Sequence, residues 1–409
     1  MTKKFLFVLA FICLAQISVA QEPDFILFKQ AELAWIKEVA RDNLQIKNTL
    51  QALKKLADLY LKKQTVTITA SPAPIPGLDP RTYYSESPYW WPDSTNPDGP
   101  FVRRDGLRYP GRFQEHKKSL IEMYNSVTTL SLAAYFFEDS SFARKARQQL
   151  KAWFVDPQTR MAPHLQYAQA VRNKSTGRPF GIIETHRFTR MLPALRLLAA
   201  SGFWPAQEQQ AVTQWFRQFL DWLTQSEFGQ KEKMHGNNHS TWWSVQVMAI
   251  ARFVKDDSLF EEVSHHVQDY LLEKQLIPPG RFPLEEKRTR SMDYAIFNLN
   301  AYAMAAQMLF VKKGVDFWHV KNSKGACLAD AIQYLLPFLK QPEKWPLKQI
   351  LPPRTNNVPF LFFYANQQQD SVLFKSFGQL WFSGKDHEQF LAHDPFYFLI
   401  DLLYYSKVN

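Results

Sequence analysis

The feature that most constrains the fold is a succession of helical segments that begins near residue 117 and continues almost to the C-terminus. Apolar residues recur at helical spacing within each segment, and proline and glycine separate one segment from the next. We predict helices at 119–137, 140–154, 184–200, 206–225, 239–254, 258–275, 291–312, 326–340, 370–382 and 394–406. Residues 24–63 add one long helix or two shorter ones. Strand-like pieces are short, such as Val358 to Tyr364, so the pattern predicts an all-α protein.

Two kinds of helix are present in this succession. Trp242 to Phe253 is strongly apolar, as in a helix enclosed by other helices, whereas Ala206 to Gln225 carries a polar stripe. Enclosed helices suit an inner ring and striped helices suit an outer ring. The predicted fold is therefore an (α/α) toroid, an incomplete barrel of helical hairpins around a central cleft. We expect residues 21–409 to form a single domain.

Residues 1–20 have the pattern of a signal peptide. Lys3 and Lys4 form a charged start, residues 5–14 are apolar, and residues 18–20 (Ser-Val-Ala) are the small residues of a cleavage site. We therefore predict export to the periplasm or the medium, with Gln21 as the mature N-terminus. No later stretch reaches the ~18 uninterrupted apolar residues of a membrane span, so no membrane insertion is expected.

Cysteine content and charge narrow the function. Removal of the signal leaves Cys327 as the single cysteine, which excludes an internal disulfide or a thiolate metal cluster and predicts a buried thiol. The formal charge of +11 falls by two, to +9, without the signal lysines, and indicates an acidic partner unless it serves solubility alone. The chain has no Lys/Arg block or nucleic-acid motif, so no nucleic acid is expected. Export and an aromatic content of 15% favour an acidic polysaccharide, since sugar rings stack on aromatic faces.

Residues 81–112 predict a long, ordered, non-helical loop. Five prolines exclude a helix, and the segment is rich in aromatic residues. These are Tyr83, Tyr84, Tyr89, Trp90, Trp91 and Phe101. A loop of this length in a compact domain is usually functional. We expect it to lie over the domain with Trp90 and Trp91 lining a cleft; the alternative is that its aromatics plug the end of the core.

Two polar clusters stand beside apolar helices. Asn237, Asn238 and His239 precede the run that begins at Trp242. The second cluster contains Glu285, Arg288, Arg290 and Tyr294. An amide, an imidazole, a guanidinium and a phenol can together bind a carboxylate and move a proton beside it. The alternatives are that the asparagines only cap a helix and that the tyrosine belongs to the core.

Several stretches in one order resemble the alginate-lyase-like polysaccharide lyases, a family with an α/α toroid. The resembling stretches are 83–93 (YYSESPYWWPD), 103–106 (RRDG), 153–154 with 163–169 (PHLQYAQ), 177–178 with 181–184 (GIIE), 237–239 (NNH) and 283–294 (PLEEKRTRSMDY). The resemblance is strongest over 83–350. It places the catalytic Asn-His pair on Asn238 and His239, the arginine on Arg288 with Arg290 as the alternative, and the tyrosine on Tyr294.

The resemblance implies β-elimination on a 1,4-linked polyuronate, with alginate as the first candidate, glucuronan as a second, and a non-catalytic glycan-binding protein as the rival. It implies no cofactor and no metal, although His235 and His239 have the i, i+4 spacing of metal ligands. A hydrolase would need paired carboxylates, for which Asp93, Asp105 and Glu184 are candidates without a supporting pattern. The expected substrate-binding residues are Tyr89, Trp90, Trp91, His164, Tyr167, Gln169, Arg178, Glu184, Asn237 and Arg290.

Overall fold

The computed structural model describes residues 24–384 and 386–408, so the predicted signal peptide lies outside the described residues. Most of the described chain is helical. The α-helices are α1 (Gln30–Val39), α2 (Leu44–Lys62), α3 (Glu115–Phe137), α4 (Ser140–Phe154), α5 (Phe188–Ala200), α6 (Ala206–Gln225), α7 (Glu227–Lys233), α8 (Asn238–Val254), α9 (Asp257–His265), α10 (Leu272–Gln275), α11 (Pro283–Glu286), α12 (Ser291–Lys313), α13 (Leu328–Lys340), α14 (Pro359–Gln368), α15 (Ser371–Trp381), α16 (His387–His393) and α17 (Tyr397–Tyr405). The strands are β1 (Tyr84–Glu86), β2 (Trp90–Trp91), β3 (Val102–Arg103) and β4 (Tyr167–Ala170). Strand β1 pairs with β4 in parallel, and β2 pairs with β3 antiparallel.

The helices form a ring. Helix α3 packs against α5, α5 against α8, α8 against α12, and α12 against α14. Helix α14 then contacts α17, α17 contacts α2, and α2 returns to α3. Helices α4, α6 and α9 pack on the outside of this ring. The arrangement is an α/α toroid, and the predicted fold class is confirmed.

Burial separates the two rings as the sequence predicts. Every residue of α8 from Ser240 to Val254 is buried, whereas α6 buries one face that includes Trp215 and Phe219. Each such large apolar side chain contributes roughly 1.5–3 kcal/mol by leaving water. Helix α12 is long and apolar enough to cross a membrane by length and composition alone, but 78% of its apolar window is buried inside the ring. Cys327 is buried as well, which confirms that prediction.

The inner helices reach the surface at their N-terminal ends. His239 is the accessible residue of α8, and between Ser291 and Leu309 of α12 accessibility is confined to Asp293, Tyr294 and Phe297. Hydrogen bonds join the segments that precede these helices: Asp293 accepts from the backbone of Arg354, just before α14, at 3.0 Å. The N-terminal ends therefore meet at one rim, where their positive dipole ends favour an anionic ligand.

The aromatic loop lies across this rim. Strands β2 and β3 form its hairpin, and the Trp91 indole donates to the Leu107 carbonyl at 2.9 Å. The sequence left two alternatives for the loop aromatics, that they line a cleft or that they plug the end of the core, and each describes part of the loop. Tyr83 is fully buried in the core, whereas Tyr89, Trp90 and Trp91 remain half-exposed above the cleft.

Some helix boundaries differ from the sequence prediction. Val358 to Tyr364 was expected to be extended, but α14 begins at Pro359, and this expectation is wrong. The aromatic residues have strand propensity, yet proline suits the first helical position, and packing against α12 and α15 decides the conformation. Residues 24–63 form two helices because Asn43 caps α2 through a bond from the Ile46 amide at 3.0 Å.

Candidate active site

Asn238 begins α8 and is fixed by a buried carboxylate. Its backbone N–H and its side-chain amide both donate to Glu285, each at 2.7 Å. Both residues are almost fully buried, and burial raises the pKa of Glu285 although the two bonds from Asn238 oppose the shift. Asn238 therefore lies beneath the cleft surface. One amide N–H and the buried Oδ1 of Asn238 have no partner among the described residues.

His239 follows at the cleft surface and is held by Glu232. The His239 Nδ1 lies 2.6 Å from Glu232 Oε1, and the Glu232 side chain is fully buried while that of His239 is 14% exposed. An Nδ1–H that donates to the carboxylate leaves Nε2 as the unprotonated nitrogen. No described residue hydrogen-bonds to Nε2. Sequence reasoning missed Glu232, because it lies seven residues earlier on the short helix α7 and no motif marks it.

Phe180 covers one side of the imidazole. Its ring lies 5.0 Å from His239 and 4.9 Å from His235 in edge-to-face geometry. The His235 Nδ1 lies 2.9 Å from Asn237 Oδ1, and that oxygen also accepts from the His239 backbone at 3.0 Å. Asn237 is thus the N-cap of α8, as one of the two sequence alternatives expects, and its role in substrate binding stays a prediction.

Arg288 and Tyr294 form a second wall of the candidate site, in addition to the Asn238 and His239 side. Arg288 Nη2 donates to the Tyr294 hydroxyl at 2.7 Å and to Asp105 at 2.8 Å, and the guanidinium lies 3.7 Å from the centre of the Tyr294 ring. The Tyr294 hydroxyl also lies 2.9 Å from that of Tyr89 in the aromatic loop. The Arg288 N–H bonds to the Glu285 carbonyl at 3.0 Å, which joins this wall to the Asn238 side.

The electrostatics of this wall follow from burial and charge. Burial would raise the pKa of Asp105, but the hydrogen bond and charge of Arg288 outweigh it and hold the pKa below its usual range. Burial, reinforced by Tyr89, raises the pKa of Tyr294 above its ordinary value, although Arg288 opposes this shift. A neighbouring cation by itself favours the phenolate form of a tyrosine. The free protein instead holds a neutral phenol, because desolvation exceeds the effect of one cation.

Arg290 does not face the cleft centre. Its guanidinium pairs with Asp293 at 2.7 Å, and Asp293 also accepts from Gln349 at 2.9 Å. Arg288, in the loop before α12, is therefore the arginine that contacts Tyr294. In the free protein the charge of Arg290 is paired with Asp293 beside the start of the helix, and its role in substrate binding stays a prediction.

Arg178 belongs to the cleft. It stacks 5.0 Å from Phe180 and 5.5 Å from Trp90, donates to Ser87 Oγ at 2.6 Å, and donates through Nε to the Gln169 carbonyl at 3.1 Å. Burial, reinforced by Arg103, lowers its pKa to about 10, so it remains a cation at neutral pH. No carboxylate of the described chain pairs with it. Arg178 and Trp90 thus form a cationic, aromatic surface beside His239.

Three other expected binding residues lie elsewhere. Glu184 is buried and accepts from Tyr83 at 2.9 Å and from Lys117 at 2.8 Å, so its described hydrogen bonds are structural. His164 lies near Trp222 of the outer helix α6, with ring centres 6.3 Å apart. Tyr167 pairs through its backbone with β1, and no described contact joins it to the catalytic groups.

The carboxylates also bear on the hydrolase alternative. Asp105 is engaged by Arg288, Glu184 is buried, and Asp93 accepts from Thr95 in an exposed turn. A hydrolase needs two carboxylates that face one substrate bond. These three do not meet that geometry.

Comparison with known proteins identifies the family. The family model described as alginate lyase matches residues 67–345, which is more than half of the chain. The chain belongs to the alginate lyase family. It is a polysaccharide lyase by family, and the resemblance predicted from the sequence is confirmed. Comparison with curated protein sequences finds no match.

Solved structures agree with the toroid. An alginate lyase from Bacteroides ovatus matches with 28% identity and a TM-score of 0.83, covering 90% of this chain and 98% of its own. Alginate lyase A1-III from Sphingomonas species A1 matches with 14% identity and a TM-score of 0.51, covering 83% and 89%. A variant of A1-III complexed with a tetrasaccharide matches with 15% identity and a TM-score of 0.52, covering 78% and 88%. At these lower identities the A1-III matches bear on the fold.

Proposed function

We propose that this lyase is exported and cleaves a 1,4-linked polyuronate by β-elimination, leaving a 4,5-unsaturated uronate at the new end. Alginate is the first substrate to test, because family members carry that name and a fold neighbour was crystallised with a tetrasaccharide. Glucuronan is the second. The observation that carries the proposal is the hydrogen-bonded set of Tyr89, Arg288 and Tyr294. The backbone bond from Arg288 to Glu285, which also holds Asn238, joins this set to the segment that carries the His239–Glu232 pair.

Elimination begins with loss of the C5 proton. That proton is weakly acidic while the neighbouring carboxylate keeps its charge, so the enzyme must supply donors and cations beforehand. Arg288 and the N-terminal end of α8 supply positive charge at the rim. Asn238 has one amide N–H left over from its bond to Glu285, and we assign it to the substrate carboxylate. Because Asn238 is buried in the free protein, this contact requires the residues above it to move aside when the sugar enters.

Tyr294 is the proton donor to the leaving O4. Its phenol is neutral in the free protein, as general acid catalysis requires. His239 is the base where the C5 proton lies on the face opposite O4, as in a guluronate-like sugar, because Glu232 leaves its Nε2 free to accept. For a mannuronate-like sugar both positions share a face. Tyr294 would then lose its own proton to solvent as the substrate binds, take the C5 proton as a phenolate, and pass that proton to O4.

The reaction class can be tested by two simultaneous readings. Purified protein is mixed separately with alginate, glucuronan, pectate and hyaluronan, and the ultraviolet absorbance of the unsaturated uronate is followed beside the number of reducing ends. The proposal predicts that absorbance and reducing ends rise together on alginate or glucuronan. Reducing ends without absorbance would indicate a hydrolase, and neither signal on any of the four would contradict the function.

Export is tested separately. The signal pattern of residues 1–20 predicts a mature chain that starts at Gln21. Intact-mass measurement of the protein from the periplasm or the medium of its native host should give the mass of residues 21–409. Recovery of the full-length chain from the cytoplasm alone would contradict export.

A further inference from the structure

The cleft continues beyond Tyr294 to a second group of cations. Phe297 follows Tyr294 by about one helical turn on α12, and its ring lies 5.6 Å from that of His186. Phe297, His186 and Arg187 all retain partial exposure, whereas the following residues of α5 are buried. An accessible surface therefore runs from the catalytic phenol across Phe297 and His186 to Arg187. The mechanism proposed above does not use this end of the cleft.

Arg187 is held by neutral partners. Its Nη1 donates to Asn125 Oδ1 at 3.1 Å and to the His393 carbonyl at 2.7 Å, and its Nη2 lies 3.1 Å from His393 Nε2. Burial lowers the pKa of His393, and the charges of Arg187 and Arg354 lower it further, so the imidazole is neutral and accepts from Arg187. These contacts use three of the five guanidinium N–H groups. The Nε–H and one Nη2–H remain, and they lie on one edge of the planar group.

The surrounding charge is positive. Arg190 is neutralised by Asp394, with 2.9 Å between them, so that carboxylate is already engaged. No carboxylate of the described chain pairs with Arg187 or with Arg354, whose charge lies close enough to act on His393. The Arg187–His393 bonds join the N-terminal end of α5 to the last residue of α16, and α17 begins shortly afterwards at Tyr397. Two arginines without counter-ions, one of them at the N-terminal end of α5, form a site suited to an anion.

We propose that Arg187 and Arg354 bind the carboxylate of a uronate residue that neighbours the cleaved one. The free edge of Arg187 offers two parallel N–H groups, the geometry that grips a carboxylate through both oxygens. Phe297 and His186 supply the surface between this carboxylate and the reacting sugar. The site rests on the proposed function, because a polyuronate carries one carboxylate on every residue and must place the next one along the cleft.

Binding without turnover tests the site. In a Tyr294→Phe background, calorimetry measures the affinity for saturated tetrasaccharides prepared from the polymer that the wild type cleaves. Arg187→Gln should weaken binding by about ten-fold or more, because it removes a charged bidentate contact. Arg187→Lys keeps the positive charge but loses the two parallel N–H groups. Its affinity for the tetrasaccharide should fall between those of the background and Arg187→Gln. Arg144→Gln removes an exposed positive charge from the outer helix α4 and should leave the affinity within about two-fold of the background.

A second variant separates binding from folding. Arg187 also joins α3 to the end of α16, whereas the Arg354 side chain is exposed and makes no hydrogen bond in the described chain. Arg354→Gln should therefore keep the wild-type melting temperature and still weaken tetrasaccharide binding several-fold. If both folded variants bind the tetrasaccharide like the background, the second carboxylate site is wrong while the lyase function stands. If the wild type cleaves and binds no polyuronate at all, the proposed function fails and this site with it.

Discussion

Three of the four proposed catalytic side chains are positioned by a carboxylate that the sequence does not mark as paired with them. Glu285 holds Asn238 and Asp105 holds Arg288, while Glu232 holds His239. All three carboxylates are removed from bulk solvent to some degree, so their hydrogen bonds are strong and directional. A change at one of them should act through its partner, with a signature in turnover and not in folding alone.

Glu232→Gln tests this at the histidine. The amide can still occupy the volume but no longer fixes the His239 tautomer through a charged acceptor, so we expect kcat to fall by about ten-fold or more with KM nearly unchanged. The ¹⁵N shifts of the His239 ring should show a change of tautomer. Glu262→Gln, an exposed carboxylate that pairs with Lys233, is the matched control and should change neither quantity. A wild-type kcat in Glu232→Gln would contradict the claim that Glu232 positions His239 for turnover.

The sequence motifs were enough to choose candidate residues, but the contacts of those residues could be determined only from the fold. Asn238, His239 and Tyr294 were identified by resemblance, but the choice of Arg288 over Arg290 needed the fold. Both arginines lie close to Tyr294 along the chain, and only the start of α12 at Ser291 turns Arg290 toward Asp293. Glu232 could not be predicted, because its contact depends on how α7 folds back on α8.

At the scale of elements, the aromatic loop helps to position Arg288, because its backbone at Gly106 packs closely against the segment before α12. Gly106 has a φ of +79°, and a Cβ there would meet Thr289 Oγ1 at 2.5 Å and Ile350 Cδ1 at 2.9 Å. Thr289 in turn donates to the backbone and the carboxylate of Asp105. The loop therefore needs glycine at this position both for its conformation and for its contact with the segment before α12.

Gly106→Ala should displace Asp105 and loosen Arg288. We expect kcat/KM to fall by about ten-fold or more, with a stability loss that includes about 1–2 kcal/mol of left-handed strain. Gly77→Ala is the matched control, because Gly77 has a φ of +76° but nothing within 4 Å of the added Cβ. Gly77→Ala should lose stability through the same left-handed backbone strain but keep the wild-type kcat/KM. Equal activity losses in the two variants would show that the loop contact does not matter for catalysis.

The ring is closed by a buried ion pair. Arg190 of α5 meets Asp394, just before α17, and the Tyr124 hydroxyl donates to the same carboxylate at 2.5 Å. Asp394→Asn leaves Arg190 buried without a counter-ion, so we expect the free energy of unfolding to fall by about 3–5 kcal/mol in urea titrations. Glu227→Gln breaks the exposed pair with Lys231 and should leave the free energy of unfolding nearly unchanged, because solvent screens that pair. A loss at Asp394 no larger than this control would contradict the assignment.

The pH dependence of that loss has a definite sign. Burial would raise the pKa of Asp394, but Arg190 and Arg187 outweigh it and lower the pKa below its ordinary value. A lowered pKa means that the carboxylate stabilises the fold fully above the unfolded pKa of about 3.9 and loses this effect as the pH falls through the folded value. The difference between wild type and Asp394→Asn should therefore shrink below about pH 4.

For the whole molecule, the toroid was predictable because its inner helices are apolar on every face, a pattern that few architectures can bury. The order of helices along the chain also indicated hairpins. Two things were not predictable from spacing: which ends of the helices meet, and therefore which polar residues share the cleft. Arg187 and Arg354 lie far apart in sequence, yet both bring charge to His393 at the rim.

The net positive charge and the converging helix N-terminal ends make a prediction for the molecule as a whole. The KM for a polyuronate should rise steeply with ionic strength between about 0.05 M and 0.5 M, because added salt screens the attraction of the rim for the polymer. The kcat should change much less, since the catalytic contacts are short and partly buried. Salt-independent KM values would show that the basic charge serves solubility alone.

The most direct test of the central claim compares wild type with Tyr294→Phe on the same polyuronate. Ultraviolet absorbance follows the unsaturated product, and calorimetry follows binding of a tetrasaccharide. We expect the phenylalanine variant to bind the tetrasaccharide like the wild type. Its rate of product formation should fall by at least about 10²-fold, because the phenol proposed to protonate O4 is gone. Near-wild-type production of the unsaturated uronate by Tyr294→Phe would contradict the proposed mechanism.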